Sequence, residues 1–319
     1  MDFCNFSVLD YTWHVIINPN ALEGKCMKHW AKMAARLEAE RVRYEMHPTA
    51  ARGDASVIAK QLCDAGIRHL LVVGGDGSIN EVVDGIMRSN ADIHDVCLAV
   101  FPLGRGNDWA RTHQYPTRLN DCVDVFLKGK FMRHDVGNVQ TLCDGIPVAD
   151  RFFINIAGFG FDAEVIYDTQ QSKPHFLGIS VYIVSLFRCL FGYKSLPVKI
   201  TAPGFSFQDK TFLAVAANCQ YNGGGMRQAP DAKPDDGLLD VVVIPQLSYL
   251  RLFWLLLSVF SGKHIKKSKG LIKTCRAESV DITCDTLCRG EVEGEMLVSG
   301  NYHVTIQPSV FLMLTNQSA

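Results

Sequence analysis

Hydrophobic positions along the first third of the chain alternate between two textures. Short apolar runs occur at HVIINPN (from His14), VRYEMH (from Val42), HLLVV (from His69) and VCLAVF (from Val96), the last ending at Pro102. Between them lie segments with helical spacing. From Lys25 to Glu40 the apolar or small positions Met27, Trp30, Ala31, Ala34 and Leu37 form one stripe. Ala55 to Cys63 and Ile79 to Met87 read as further helices, the latter with Ile79, Val82, Val83 and Ile86 on one face. Strands separated by helices pair in parallel with helices on both faces, and such sheets bind ligands beyond the carboxyl ends of their strands. The polar turns NPN, GGDGS and PLGRGND all follow strand ends, so one crevice can collect them.

After about Asp135 the texture changes to short β-rich runs separated by Gly, Pro and Asp turns, including RFFINIAGFGFDAEV, LPVKITA, KTFLAVAANC, LLDVVVIP and YHVTIQ. This predicts a largely antiparallel second domain, interrupted by helices at Ile179 to Phe191 and Tyr249 to Phe260. The expected fold is therefore an α/β domain over 1–135, with a parallel sheet, then a β-rich domain over 136–304. The segment from about 305 to 319 packs back on the first domain in this reading.

A chain of 319 residues suits two cores. Its 48% hydrophobic composition is ordinary for globular proteins, and a net charge of −1 favours no nucleic-acid partner. The N-terminus lacks the pattern of a signal peptide. The longest apolar stretch, near Leu247 to Phe260, is shorter than the roughly 20 residues of a spanning helix. Eleven scattered cysteines show no zinc-site spacing and read as reduced thiols, so the expected location is cytoplasmic.

In GGDGS the glycines free the backbone for positive φ and leave N–H groups unobstructed. Ser78 and Glu81 have the spacing of a capping box. By itself the loop reads equally as a capped turn in which Asp76 satisfies amides, or as a nucleotide site. It matches neither G-x-G-x-x-G nor a P-loop. A second loop, FPLGRGNDWAR, repeats the design with Gly104 and Gly106 around Arg105 and with Asn107-Asp108 opening a helix. Two such loops at neighbouring strand ends can wrap a polyphosphate.

GGDGS-x-NEV followed by P-L-G-x-G-N-D-x-A-R resembles the catalytic domain of the diacylglycerol kinase and sphingosine kinase superfamily, and is most similar to bacterial lipid kinases of diacylglycerol-kinase type. INPNALEGK, HDVGNV, FFINIAGFGFDAEV, GGGMRQAPDAKPDDGLLDVVVI and EVEGE extend the resemblance over nearly the whole chain. It implies ATP in a crevice between the two domains, beside Asn18-Pro19, the loop residues Gly74, Gly75, Gly77 and Ser78 with Asn80 and Glu81, and the second loop Gly104, Arg105, Gly106, Asn107 and Asp108. Arg105 stands where the family usually has Thr, so a guanidinium replaces the usual hydroxyl contact. The D-D-G-x-L-D stretch implies a Mg²⁺ site at Asp235 or Asp236 with a carbonyl near Leu238; an acidic hairpin turn is the other reading. The family's D-G-E base motif is Glu293-Gly294-Glu295 here, one methylene longer at its first residue. The resemblance thus implies Glu293 as general base, Asp76 as a metal-network and acceptor-orienting residue, and Glu295 unchanged from the family.

Several further positions carry two readings. Arg227 in GGGMRQAP contacts phosphate or a lipid headgroup, or else belongs to a bulged loop. Asn155 and Asp162 match family positions, though Asp162 also suits a helix start. The apolar helix from Leu247 and the following Lys266, Lys267 and Lys269 form either a transient dock for an anionic membrane, making the protein peripheral, or a packed helix with a solvated end. Phe176, Leu177 and Ile179 are candidates for an acyl pocket. The expected reaction is transfer of the γ-phosphoryl of ATP, with Mg²⁺, to a hydroxyl of diacylglycerol or a sphingoid or ceramide lipid. An NAD kinase-like enzyme and an inactive nucleotide- or lipid-binding regulator are the alternatives, and an oligomer is compatible with each.

Overall fold

The computed structural model describes residues 7–171, 179–285 and 288–316. The chain divides into two compact units, one made of residues 1–135 with 308–319 and the other of residues 136–307.

The first unit alternates β1 (Thr12–Ile17), α1 (Cys26–Ala39), β2 (Arg43–Pro48), α2 (Asp54–Asp64), β3 (His69–Gly74), α3 (Asp76–Met87) and β4 (Cys97–Pro102), followed by α4 (Asp108–Thr112) and α5 (Leu119–Lys128). The strands lie in the order β4-β3-β1-β2 and all neighbours are parallel. Period-two alternation sends Trp13, Val15, Ile17, Leu71, Val73, Ala99 and Phe101 into one core with Trp30, Met33 and Leu37 of α1 and Val123 and Phe126 of α5. Helices α2 and α3 approach closely at Gly85, where a Cβ would lie 2.2 Å from the Ser56 carbonyl oxygen.

The second unit opens with β5 (Lys130–Cys143), β6 (Ile146–Phe153) and β7 (Ile156–Gly160), then α6 (Phe161–Gln171) and α7 (Ile179–Gly192). It continues through β8 (Leu196–Ala202), β9 (Phe205–Ala217), β10 (Leu239–Pro245), α8 (Tyr249–Val259), α9 (His264–Lys267), β11 (Lys273–Ala277), β12 (Ser279–Cys284), β13 (Gly290–Val292), β14 (Glu295–Met296) and β15 (Asn301–Thr315). Every strand pair inside this unit for which a register is defined is antiparallel. The far end of β15 belongs to the first unit, where Leu312 and Met313 pair in parallel with Cys97 and Leu98 of β4. The two-part architecture, parallel α/β followed by antiparallel β, is the one the hydrophobic pattern predicts.

One local expectation is corrected. Helix α3 starts at Asp76 rather than Ile79, and Ser78 does not cap it: the N-cap is Gly75, without a side-chain cap. The first turn closes through Ser78 N–H and Ile79 N–H to the Gly75 carbonyl, at 2.9 and 3.1 Å. Ser78 is therefore the third helical residue, and its hydroxyl accepts from Asn18 Nδ2 at 3.4 Å. Glu81 turns away to accept from Gly53 N–H at 3.0 Å, at the start of α2. Among the described residues no helix is long and apolar enough to cross a membrane, and no two cysteines form a disulfide.

Candidate active site

Two glycines make the centre of the first unit's site. A Cβ on Gly104 would lie 2.4 Å from the Cα of Gly75, and one on Gly75 would lie 2.9 Å from the Cα of Gly104. The two loops thus cross backbone on backbone, an approach that only glycine at both positions permits. Four hydrogen bonds fix the neighbourhood of the crossing. Leu103 N–H donates to the Gly74 carbonyl at 2.8 Å, and Asn18 N–H donates to the Val73 carbonyl at 3.0 Å. The side chain of Asn107, itself at φ 51°, clamps the Gly104 peptide by accepting from its N–H at 2.8 Å. Its amide also donates to the Gly104 carbonyl at 3.0 Å.

Asp76 joins the loops from the other side: its Oδ1 accepts from Trp109 N–H at 3.0 Å, in the first turn of α4. Burial raises its pKa, while the amides of Trp109, Asp108 and Asn107 oppose that rise. A carboxylate in a glycine loop thus serves first as the acceptor that orders the companion loop, an arrangement helix-end amides favour. Beside it, Asn80 is buried with an Oδ1 that has no hydrogen-bond partner. Arg105 pairs with Glu23 at 3.2 Å, both side chains being largely exposed. Glu23 sits in the loop after Asn18-Pro19, where Leu22, Glu23 and Gly24 all adopt positive φ. Arg105 is therefore linked to the loop of Asn18 by a solvated ion pair that an anionic ligand can displace at little cost.

In the second unit, Glu293 and Gly294 form the two-residue turn between β13 and β14, at φ 53° and 80°. Positive φ at both positions is the signature of a type I′ hairpin, which suits Asp-Gly better than Glu-Gly. The Glu293 carboxylate is received by the segment before β7: Oε1 accepts from Ile154 N–H at 3.1 Å and Asn155 N–H at 2.6 Å, and Oε2 from Asn155 Nδ2 at 2.8 Å. Asn155 is buried and its Oδ1 has no hydrogen-bond partner. Glu295 lies opposite Val292 in the hairpin register.

Glu291 and Asp162 form a buried carboxyl pair that the sequence reading did not single out as a pair. A Cβ on Gly158 would lie 2.7 Å from Glu291 Oε1 and 3.0 Å from Asp162 Oδ2. Asp162 accepts from Gln228 Nε2 at 2.8 Å. Glu291 accepts from Gly294 N–H at 2.8 Å and Asn222 Nδ2 at 3.2 Å. Burial pushes both pKa values up, and the charge of Asp162 raises that of Glu291 further. A carboxyl whose pKa is raised on folding contributes stability below its unfolded value, about pH 4, and that contribution is lost as pH rises through the folded value. The thermal midpoint is therefore expected to fall between about pH 4 and pH 7 more steeply in the native chain than in Asp162→Asn/Glu291→Gln. Equal slopes in the two proteins would remove the pair from this role.

Asp162 also lines an apolar cavity of about 50 Å³. Phe161, Leu186, Leu190, Phe212, Leu252 and Met226 are among its walls, and Gln228 and His264 join Asp162 as its polar side chains. Helix α8 covers the cavity with Leu252, Leu255, Leu256 and Val259. Its opposite side leaves Leu250 69% and Trp254 63% exposed, with Tyr249, Leu257 and Phe260 also exposed. Lys266, Lys267 and Lys269 follow, all exposed. Phe176 and Leu177, named above for an acyl pocket, lie outside the described residues, as does the side chain of Ile179.

Arg227 is engaged within its own loop, donating to Gln220 Oε1 at 3.0 Å and to the Pro230 carbonyl at 3.1 Å, over the Tyr221 ring. At the acidic turn, the Arg276 guanidinium holds Asp236, and Leu238 N–H donates to Asp236 Oδ1 at 3.2 Å. Asp235 is exposed. With one carboxylate committed to a cation of the chain itself, Asp235, Asp236 and Leu238 do not form a ready oxygen cage for Mg²⁺.

Comparisons with known proteins agree with this layout. Residues 12–139 match the diacylglycerol kinase catalytic domain, and residues 155–315 match the YegS C-terminal NAD kinase beta sandwich-like domain. A diacylglycerol kinase of Staphylococcus carnosus is 27% identical over 281 residues, covering 88% of this chain and 87% of that protein. A diacylglycerol kinase structure from Bacillus anthracis superposes with a TM-score of 0.71 at 22% identity, covering 96% of this chain and 97% of that one. Yeast NADH kinase complexed with NADH shares the fold more distantly, with a TM-score of 0.53 at 12% identity over 96% of this chain and 83% of the other. An α/β catalytic domain of this type joined to that β-rich domain defines a lipid kinase. The chain belongs to the diacylglycerol kinase family, in the branch represented by such bacterial enzymes.

Proposed function

We propose that the chain transfers the γ-phosphoryl group of ATP to a hydroxyl of a diacylglycerol-class lipid. The observation that carries this reading is the apolar cavity lined also by the hydrogen-bonded Asp162 and Gln228: it offers alkyl chains a dry wall and a hydroxylated headgroup hydrogen-bonding partners. In the first unit, the crossed loops at Gly75 and Gly104 and the N-terminus of α3 present backbone N–H groups to the phosphates, with Asn18, Ser78 and Asn80 alongside. Arg105 exchanges Glu23 for phosphate oxygens. In the second unit, Glu293 accepts the proton of the acceptor hydroxyl as its oxygen bonds to the γ-phosphorus and the bridging P–O bond to ADP breaks. Asn155 holds the Glu293 carboxylate in place. A divalent cation, Mg²⁺ in this proposal, would travel with ATP and supply neutralisation of phosphate charge; no step depends on Asp235, Asp236 or Leu238.

Transfer of label from γ-labelled ATP to a panel of diacylglycerol, sphingosine, ceramide and NAD⁺ tests the reading. A labelled lipid is the expected product. Label on NAD⁺ alone would select an NAD kinase-like enzyme, and ATP binding without transfer to any acceptor would select a regulator.

The exposed face of α8 and the lysines after it suit an acceptor that resides in an anionic bilayer, where apolar side chains insert and ammonium groups meet headgroups. Removing two such anchors in Leu250→Ser/Trp254→Ser is expected to weaken sedimentation with phosphatidylglycerol vesicles by about tenfold or more. Turnover on a dispersed short-chain acceptor should change little. Undiminished vesicle binding would remove this face as the dock.

A further inference from the structure

Away from the loops, three potential ligands meet on one face at the edge of the first unit's sheet. His14 on β1 is opposite Glu45 on the neighbouring parallel strand β2, and His47 lies two residues further along β2. Residues two apart on a strand point to the same side, so Glu45 and His47 flank the position that His14 faces. The distances follow: His14 Nδ1 to His47 Nε2 is 3.0 Å, and Glu45 lies 4.0 Å from His14 Nδ1 and 3.9 Å from His47 Nε2. All three donor atoms lie within 4.8 Å of one another. His14 is buried, His47 is half-buried, and Glu45 is exposed, so the cluster is anchored at its base and open at its rim.

We propose that His14, Glu45 and His47 form a site for a divalent late first-row transition metal, with zinc as its representative and water completing the coordination. Donors around tetrahedral zinc, at about 2.0–2.1 Å from the ion, stand about 3.3 Å from each other. The three observed separations bracket that spacing, so small rotations of the exposed Glu45 and the half-buried His47 bring all three donors to the ion. Imidazole with carboxylate selects zinc, nickel or copper over Mg²⁺ or Ca²⁺, which take oxygen ligands. Two imidazole nitrogens in direct contact need either a proton or a metal between them. The metal would tie the edge strand β2 to β1, the strand that leads into Asn18-Pro19.

The site is independent of the lipid-kinase reading and is tested without an activity assay. The full chain, stripped with a chelator and kept reduced, is titrated with zinc against a chromophoric competitor, alongside Glu45→Gln/His47→Gln. One tight zinc per native chain is expected, with a raised thermal midpoint. In the double variant that binding should weaken at least about tenfold, the loss brought by removing even an outer partner of a metal site. Cobalt bound to the native chain should show a four- or five-coordinate visible spectrum without a thiolate charge-transfer band, which separates this site from the eleven cysteines. Absence of tight zinc binding, equal binding by the double variant, or a thiolate band would each overturn the proposal. Glu45→Gln alone, at an exposed strand position, provides the same comparison if the double variant unfolds.

Discussion

Glu293→Gln is expected to lower kcat for lipid phosphorylation by about 10²–10⁴-fold, the range a general base contributes, while leaving KM for ATP close to that of the native chain. The substitution is chosen because the carboxylate also holds the protein together locally. It accepts from Ile154 N–H, Asn155 N–H and Asn155 Nδ2, so Glu293→Ala would leave buried amides without an acceptor and confuse a catalytic loss with a structural one. Glutamine keeps one carbonyl for the two backbone donors. Its NH₂ would face Asn155, whose Oδ1 has no partner and can turn to receive it. The fold is thereby preserved and only basicity is removed. Wild-type turnover in Glu293→Gln would reduce the residue to a strut for the β7 entry. The companion change Glu293→Asp shortens the side chain by one methylene and eases the positive-φ turn; it is expected to keep far more activity than glutamine, since a base survives in it.

Gly104→Ala is expected to depress kcat/KM for ATP by about 100-fold, with a thermal midpoint within a few degrees of the native one. The added methyl would lie 2.4 Å from the Cα of Gly75 and 2.7 Å from Asn107 Oδ1. Neither contact can be relieved by rotating a flexible side chain end, because one is backbone and the other is the clamp on the same peptide. The loops must separate, and a shift on the order of 1 Å at a reacting phosphate costs about 10²-fold. Gly77→Ala provides the contrast, because its Cβ would meet nothing within 4 Å. An equal loss in both variants would show that the glycines matter for their flexibility and not for the crossing. The same geometry bears on Asp76→Ala, which would release Trp109 N–H and let the second loop drift while the hydrophobic core stays intact.

The element order was legible because buried parallel strands and amphipathic helices impose different periods on the same chain, as at His69–Gly74 against Cys26–Ala39. The start of α3 was not, since Ser78 and Glu81 have the spacing of a capping box and only tertiary partners show that Glu81 serves Gly53. The contacts that define the candidate site are the least local. Asp76 meets an amide 33 residues away, and Glu293 meets donors 138 and 139 residues away. Glu291 was passed over because its importance comes from Asp162, which reaches it only through folding. Arg227 carried the chemistry of an anion contact, yet its guanidinium is satisfied by Gln220 and Pro230.

The last strand has a consequence for how the chain is made. Leu312 and Met313 complete the sheet beside β4, Leu312 and Leu314 enter the core of α1 and α5, and Tyr115 donates to the Leu314 carbonyl at 2.7 Å. During synthesis, therefore, the N-terminal half emerges with the Cys97–Pro102 strand bare along one edge and must wait until Leu312 and Met313 are made before that edge is closed. The β-rich half, whose residues are contiguous, can finish first. A stop codon placed directly after Gln307 would leave that half whole and the α/β half permanently unsealed.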